Sequence, residues 1–212
     1  MPEKLTTTEF NKLDAYTKFP ESRPGVILEI GPRMNTADAI FKDVKKKIEQ
    51  GAVYVALDSK AENLRETKSE GKTNLILGDL RDLPFSDSSI NEIWLINVFG
   101  LIEKKPKLDK DGKPLQRNIG GSIYPGIKDY VRELARVLKP GGKIVVGEYF
   151  TPRSHDPQIL LKTNFGEYGL TAKIHLAGED LDEYLQGLGA SPAMKRFIAS
   201  RMDSYFIELN SD

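Results

Sequence analysis

The chain of 212 residues is long enough for one domain with a sizeable core, and its 31 basic and 31 acidic residues cancel. That balance leaves no global pull toward nucleic acid or an anionic membrane. Cysteine is absent, which excludes a disulfide scaffold, a thiolate zinc site and a cysteine nucleophile.

Residues 1–24 are expected as a helical extension. They open on MPEKLTTTEF, which has no apolar signal core, and no later window approaches the ~18 apolar residues of a membrane span. A soluble, cytoplasmic protein is therefore the expectation. The first strand is Val26-Ile27-Leu28, a β-branched run of the kind buried on both faces of a parallel sheet. Glu29 closes it, Gly31-Pro32 turn the chain, and Thr36 is a fair N-cap. Ile40, Phe41, Val44 and Ile48 then form one apolar helical stripe. Strand, glycine turn and helix mark the place where α/β folds bind ligands, beyond the carboxyl ends of the strands.

The same grammar repeats. Val53 to Leu57 is a second apolar run with Asp58 at its tip. A carboxylate there can accept hydrogen bonds from both hydroxyls of a ribose, or it can be a solvated strand end. Lys60 to Gly71 reads as a short surface helix. Asn74 to Leu77 is a third strand, ending in Gly78-Asp79, and Ile93 to Ile96 a fourth, continuing into Asn97-Val98-Phe99. Trp94 alternates within that strand and belongs to the sheet core. Ile127, Tyr130, Val131, Leu134, Val137 and Leu138 carry the period of a helix. Lys139-Pro140-Gly141-Gly142 stops it, and Lys143 to Glu148 is a fifth strand.

Two stretches carry a resemblance. Gly78-Asp79-Leu80-Arg81-Asp82-Leu83-Pro84-Phe85-Ser86-Asp87-Ser88 and Glu133-Leu134-Ala135-Arg136-Val137-Leu138-Lys139-Pro140-Gly141-Gly142 resemble signatures of the class I S-adenosylmethionine-dependent methyltransferases. The resemblance covers about Val26 to Phe150 and rests on motifs far more specific than a glycine pattern. It implies an α/β fold, a Rossmann-like three-layer αβα sandwich over 25–212. Its seven-stranded sheet would be mostly parallel with one antiparallel strand. A helix over Asp180–Leu188 and a closing antiparallel pair, with Ser204 to Leu209 its clearer strand, would complete it.

The resemblance also implies roles. S-adenosyl-L-methionine would meet Glu29 and Gly31 with its methionine end and Asp58 with its ribose. Its adenine amino group would meet Asp79, the adjacent ring nitrogen the Leu80 backbone, and its methionyl group would pass Asn97. Two departures bear on this. Where the family has glycines two and four positions beyond Gly31, this chain has Arg33 and Asn35. Asn35 tolerates left-handed geometry. Arg33 either pairs with the cofactor's carboxylate, or it occupies the pocket mouth or salt-bridges to Glu29, which would weaken or abolish binding. The second departure is the stretch from Glu103 to Pro125, with five lysines and few large apolar residues. A mobile insertion over 104–124 is expected, either a lid, a loop that binds a protein partner, or a passive segment. Asp109 and Asp111 lack the other ligands of a calcium loop.

Catalytic residues are less legible, because methyl transfer needs in-line approach and often little else. His155, Tyr149 and Tyr124 are the candidates for a base, and His175 reads as structural, in a strand-to-helix link. The Asn/Asp-Pro-Pro-Tyr/Phe signature of nucleobase amino methylation is absent after the fourth strand. A G-x-S-x-G elbow, a Walker loop and a G-x-G-x-x-G turn are absent too. The expected function is methyl transfer to a small-molecule acceptor, without metal, membrane or nucleic-acid partner. The alternative is an inactive methyltransferase-like protein that binds a protein partner.

Overall fold

The computed structural model describes residues 25–32, 37–67, 73–98, 127–148, 163–200 and 204–211. Seven strands form one sheet: β1 (Val26–Ile30), β2 (Val53–Asp58), β3 (Thr73–Leu77), β4 (Ile90–Ile96), β5 (Leu138–Glu148), β6 (Leu170–Leu176) and β7 (Tyr205–Ser211). Their order across the sheet is β3-β2-β1-β4-β5-β7-β6. The pairs from β3 through β5 are parallel, and β7 runs antiparallel to both β5 and β6. This is the expected sheet, with β7 as its one reversed strand.

Alternation along the strands divides the core into two layers. Leu28, Ile30, Val55, Leu57, Ile93 and Leu95 face the helix α4 (Ile127–Val137), which contributes Val131, Leu134 and Val137. Ile27, Tyr54, Trp94, Val145 and Phe206 face the opposite layer. That layer holds α1 (Ala37–Ile40), α2 (Lys42–Glu49), α5 (Glu179–Gly187) and α6 (Pro192–Ala199), with Phe41 between the first two. A shorter helix, α3 (Ala61–Glu66), follows β2. No helix among the described residues is long and apolar enough to cross a membrane.

Several local expectations shift. The stripe from Ile40 to Ile48 is not one helix, because Phe41 is extended (φ −115, ψ 114) and bridges Ala190. Its ring is wholly buried 5.0 Å from Trp94, and burial of that surface outweighs one unbroken turn. The fifth strand begins at Leu138, not Lys143, since Leu138 pairs with Ile90 ahead of a register shift. Gly142 permits this: a Cβ there would sit 2.8 Å from the Lys139 carbonyl and 2.9 Å from the Asn91 carbonyl. The helix α6 lies in a stretch where sequence periodicity gave no element. His175 lies on β6 itself, buried against α5, stacked on Tyr184 at 3.9 Å and with Nδ1 3.0 Å from Asp180.

Candidate functional site

The strand order reverses direction between β1 and β4, so the crevice beyond their carboxyl ends is the topological switch point. Four of the sequence candidates follow the ends of four adjacent strands there. Asn97 follows β4, Gly31 follows β1, Asp58 ends β2 and Asp79 comes two residues after β3. Backbone bonds lock the row: Gly31 N–H donates to the Leu57 carbonyl at 2.8 Å, and Gly78 N–H to the Asp58 carbonyl at 3.0 Å. Asn97 N–H donates to the Gly147 carbonyl at 2.7 Å.

Gly31 is at φ 70, and a Cβ on it would lie 2.9 Å from the Val98 Cγ2. Only glycine meets both demands without strain. Asn97 is also left-handed, at φ 55, a conformation asparagine tolerates better than most residues. The chain therefore turns sharply on both sides of the crevice.

Glu29 is buried, with 2% of its surface exposed. Its Oε2 accepts the Ala37 N–H at 3.0 Å and the Tyr54 hydroxyl. The carboxylate thus serves the first amide of α1. Burial pushes its pKa up from 4.5 to about 7, against the lowering effect of those two hydrogen bonds. The Tyr54 hydroxyl is driven far above its ordinary value by burial and by the neighbouring carboxylate.

Asp58 is 7% exposed and accepts the Lys60 N–H at 2.8 Å on Oδ1 and the Asn63 side-chain amide at 3.0 Å on Oδ2. Each oxygen keeps a further lone pair for a ligand donor. Asp79 is more open. Arg81 covers it, its backbone N–H reaching Oδ1 at 2.9 Å, its Nε reaching both oxygens at 2.9 and 3.0 Å, and its Nη2 reaching Oδ2. The guanidinium holds the Asp79 carboxyl below its ordinary range. The side chain of Leu80 is buried in the α4 layer.

The two signature stretches meet. Glu133 accepts the Leu83 N–H at 2.9 Å, and Arg136 donates to the carbonyls of Phe85 (2.9 Å) and Leu83 (3.0 Å) and to Asp87 (2.7 Å). Glu133 in turn receives two bonds from Arg136 at 2.8 Å. These motif residues hold the chain that follows Asp79 against α4.

Arg33 lies outside the described residues, as do Thr36, Asn35, the base candidates His155, Tyr149 and Tyr124, residues 1–24 and the insertion at 104–124. Five contributors take no individual role from the sequence: Tyr54, Asn63, Arg81, Glu133 and Arg136. The last three lie in the signature stretches, and Arg81 carries a further local signal, a cation two residues from the acid it covers.

The sequence matches no protein-family model and no curated protein. Solved structures do match. An S-adenosylmethionine-dependent methyltransferase from Mesorhizobium loti aligns over 96% of this chain and 98% of its own, at 12% identity and a TM-score of 0.53. Geranyl diphosphate C-methyltransferase from Streptomyces coelicolor A3(2), in complex with Mg2+, geranyl-S-thiolodiphosphate and S-adenosyl-L-homocysteine, aligns over 98% and 77% at 12% identity and a TM-score of 0.53. A TehB-like methyltransferase from Corynebacterium glutamicum aligns over 96% and 86% at 16% identity and a TM-score of 0.50. The shared feature is the fold. It is the Rossmann-like fold of these methyltransferases.

Proposed function

We propose that the protein is an S-adenosylmethionine-dependent methyltransferase that acts on a small-molecule acceptor. The observation that carries this is the row Asp79, Asp58, Gly31 and Asn97 along one edge of four adjacent strands, beside the switch point. Three strand spacings span about 14 Å, room for an extended ligand with a base at one end and an amino acid at the other. The chemistry of the row fits such a ligand. Asp58 offers acceptors to ribose hydroxyls, Asp79 offers one to the adenine amino group, and the Leu80 backbone is the next donor along the chain. Gly31 and Asn97 turn the backbone without a long side chain in the crevice.

S-adenosylmethionine, when bound, would supply an electrophilic methyl carbon on its sulfonium: an acceptor nucleophile would bond to that carbon in line as the carbon–sulfur bond breaks and the neutral thioether S-adenosylhomocysteine leaves. The protein's part is to hold donor and acceptor at close approach and exclude water, which can provide much of the rate. The solved neighbours support the reading, since the Streptomyces enzyme holds S-adenosyl-L-homocysteine and a small diphosphate ligand on the same fold. The balanced charge of the chain fits a small acceptor better than a nucleic acid. Titration calorimetry with S-adenosylmethionine and S-adenosylhomocysteine tests it. Saturable one-site binding of both is expected, and absence of heat with both would refute the reading.

A further inference from the structure

Both oxygens of Asp58 are held, each by a neutral donor. The residue ends β2, and its backbone carbonyl receives the Gly78 N–H at 3.0 Å, so its backbone is fixed by the β2–β3 pairing. The carboxylate turns about a terminal torsion that is broad and two-fold in an unrestrained side chain. Lys60 N–H, two residues on, holds Oδ1 at 2.8 Å. One such bond still lets the carboxylate plane pivot about the held oxygen. The Asn63 side chain ends that freedom, because its amide reaches the other oxygen, Oδ2, at 3.0 Å. A carboxylate only accepts, so the amide nitrogen is the atom that faces it.

Asn63 is itself held in place. It lies half-buried in α3, its neighbour Leu64 is buried, and the Thr67 hydroxyl donates to the Asn63 carbonyl at 3.0 Å. Helix propensity favours leucine over asparagine, so the amide does not serve the stability of α3.

We propose that Asn63 is a positioning residue for the ribose: it sets the plane of the Asp58 carboxylate so that its two oxygens meet the 2′ and 3′ hydroxyls together, which makes the site selective for an intact diol. This rests on the cofactor reading given above. Two hydroxyls on adjacent carbons are donors at a fixed spacing, and a carboxylate is a pair of acceptors at a fixed spacing. Their match is bidentate when the plane is set beforehand; a pivoting carboxylate gives up torsional freedom on binding instead. Asp79 shows the contrast, since the Arg81 guanidinium lies across both its oxygens. At Asp58 each neutral donor takes one lone pair and leaves the rest of that oxygen to a ligand.

The experiment is titration calorimetry of the wild type and Asn63→Leu with S-adenosylhomocysteine and with its 2′,3′-dideoxy analogue, beside thermal unfolding of both proteins. The wild type should prefer the diol by about tenfold or more. In Asn63→Leu the affinity for S-adenosylhomocysteine should fall by about three- to tenfold, the worth of a side chain that must be immobilised on binding. Affinity for the analogue and the thermal midpoint should both hold. Equal losses for the two ligands would mark a structural role and overturn the inference, as would no loss for S-adenosylhomocysteine. Asn63→Ala reads the same ratio if Asn63→Leu does not fold. No binding of S-adenosylhomocysteine by the wild type refutes the cofactor reading itself, and the inference with it. A wild type that binds both ligands equally refutes the ribose contact at Asp58. A diol preference that survives intact in Asn63→Leu refutes only the role of Asn63.

Discussion

Arg136 on α4 donates to the Asp87 carboxylate at 2.7 Å, so the Leu-Pro-Phe-x-Asp segment and the helix before Lys139-Pro140-Gly141-Gly142 hold each other. The same guanidinium caps two backbone carbonyls, at Leu83 and Phe85, that the β3–β4 connection leaves without a strand partner. The motif residues that make the sequence recognisable thus hold the chain that follows Asp79, the proposed partner of adenine, against α4. Such a fork suits arginine, whose planar donors reach several acceptors at once.

Arg136→Ala should therefore lower stability by about 1.5–3 kcal/mol, the range for lost hydrogen bonds to a charged group, while the Leu83 carbonyl keeps the Phe85 N–H at 2.7 Å. Arg136→Lys should recover only part of it, since an ammonium cannot span both carbonyls and both carboxylates. Denaturant unfolding of the two variants measures this. Wild-type stability in Arg136→Ala would show that water replaces the fork without cost.

Glu29 gives the protein an unusual stability profile. Its folded-state pKa is raised from 4.5 to about 7, so the folded state holds its proton more tightly than the unfolded chain. Stability from this group is complete below the unfolded value and declines as pH rises from about 4.5 to about 7, by about 3 kcal/mol in all. Asp79 and Glu133 act in the opposite sense, because Arg81 and Arg136 hold them below their ordinary values. Their contribution is lost only as pH falls through the acid range. Unfolding free energies at pH about 5.5 and about 8 should thus favour the lower pH in the wild type, and Glu29→Gln should abolish the difference. Equal stability of the wild type at both would contradict the buried acid.

Much of the fold was legible because buried parallel strands advertise themselves. Val26 to Leu28, Val53 to Leu57 and Ile93 to Ile96 are continuous apolar runs, and each lies within a strand of the sheet. The break at Phe41 was not legible, since its cause is Ala190, far along the chain. The helix α6 did leave a signal that periodicity missed: Ser191 accepts the Met194 N–H and Pro192 occupies its first turn. In the site, strand-end acids could be found by position, as with Asp58 and Asp79. Tyr54 could not, because in sequence it is one more apolar residue of a strand. Its hydroxyl acquires meaning only when β2 is laid beside β1.

Arg81 covers the carboxylate that the proposed function gives to adenine. Four hydrogen bonds from three donors of one residue leave Asp79 little acceptor capacity. The pair is exposed, with side chains 37% and 41% accessible, so releasing it costs little, on the order of 1 kcal/mol or less. Arg81→Met should tighten S-adenosylhomocysteine binding by a few-fold, about what that energy allows. Weaker binding in this variant would mean that the guanidinium itself contacts the ligand.

Asp58 offers the most direct test of the central claim. Asn in its place keeps an oxygen for the Lys60 amide, and a flip of the Asn63 side chain turns its own oxygen to the new amide, but the charge that ribose hydroxyls would meet is lost. The account predicts one-site binding of S-adenosylhomocysteine by the wild type. In Asp58→Asn it predicts an unchanged thermal midpoint and a loss of about 1.5–3 kcal/mol of binding energy, tenfold in affinity or more. Equal affinity of the two proteins, measured side by side by calorimetry, would contradict the placement of the cofactor along this edge of the sheet.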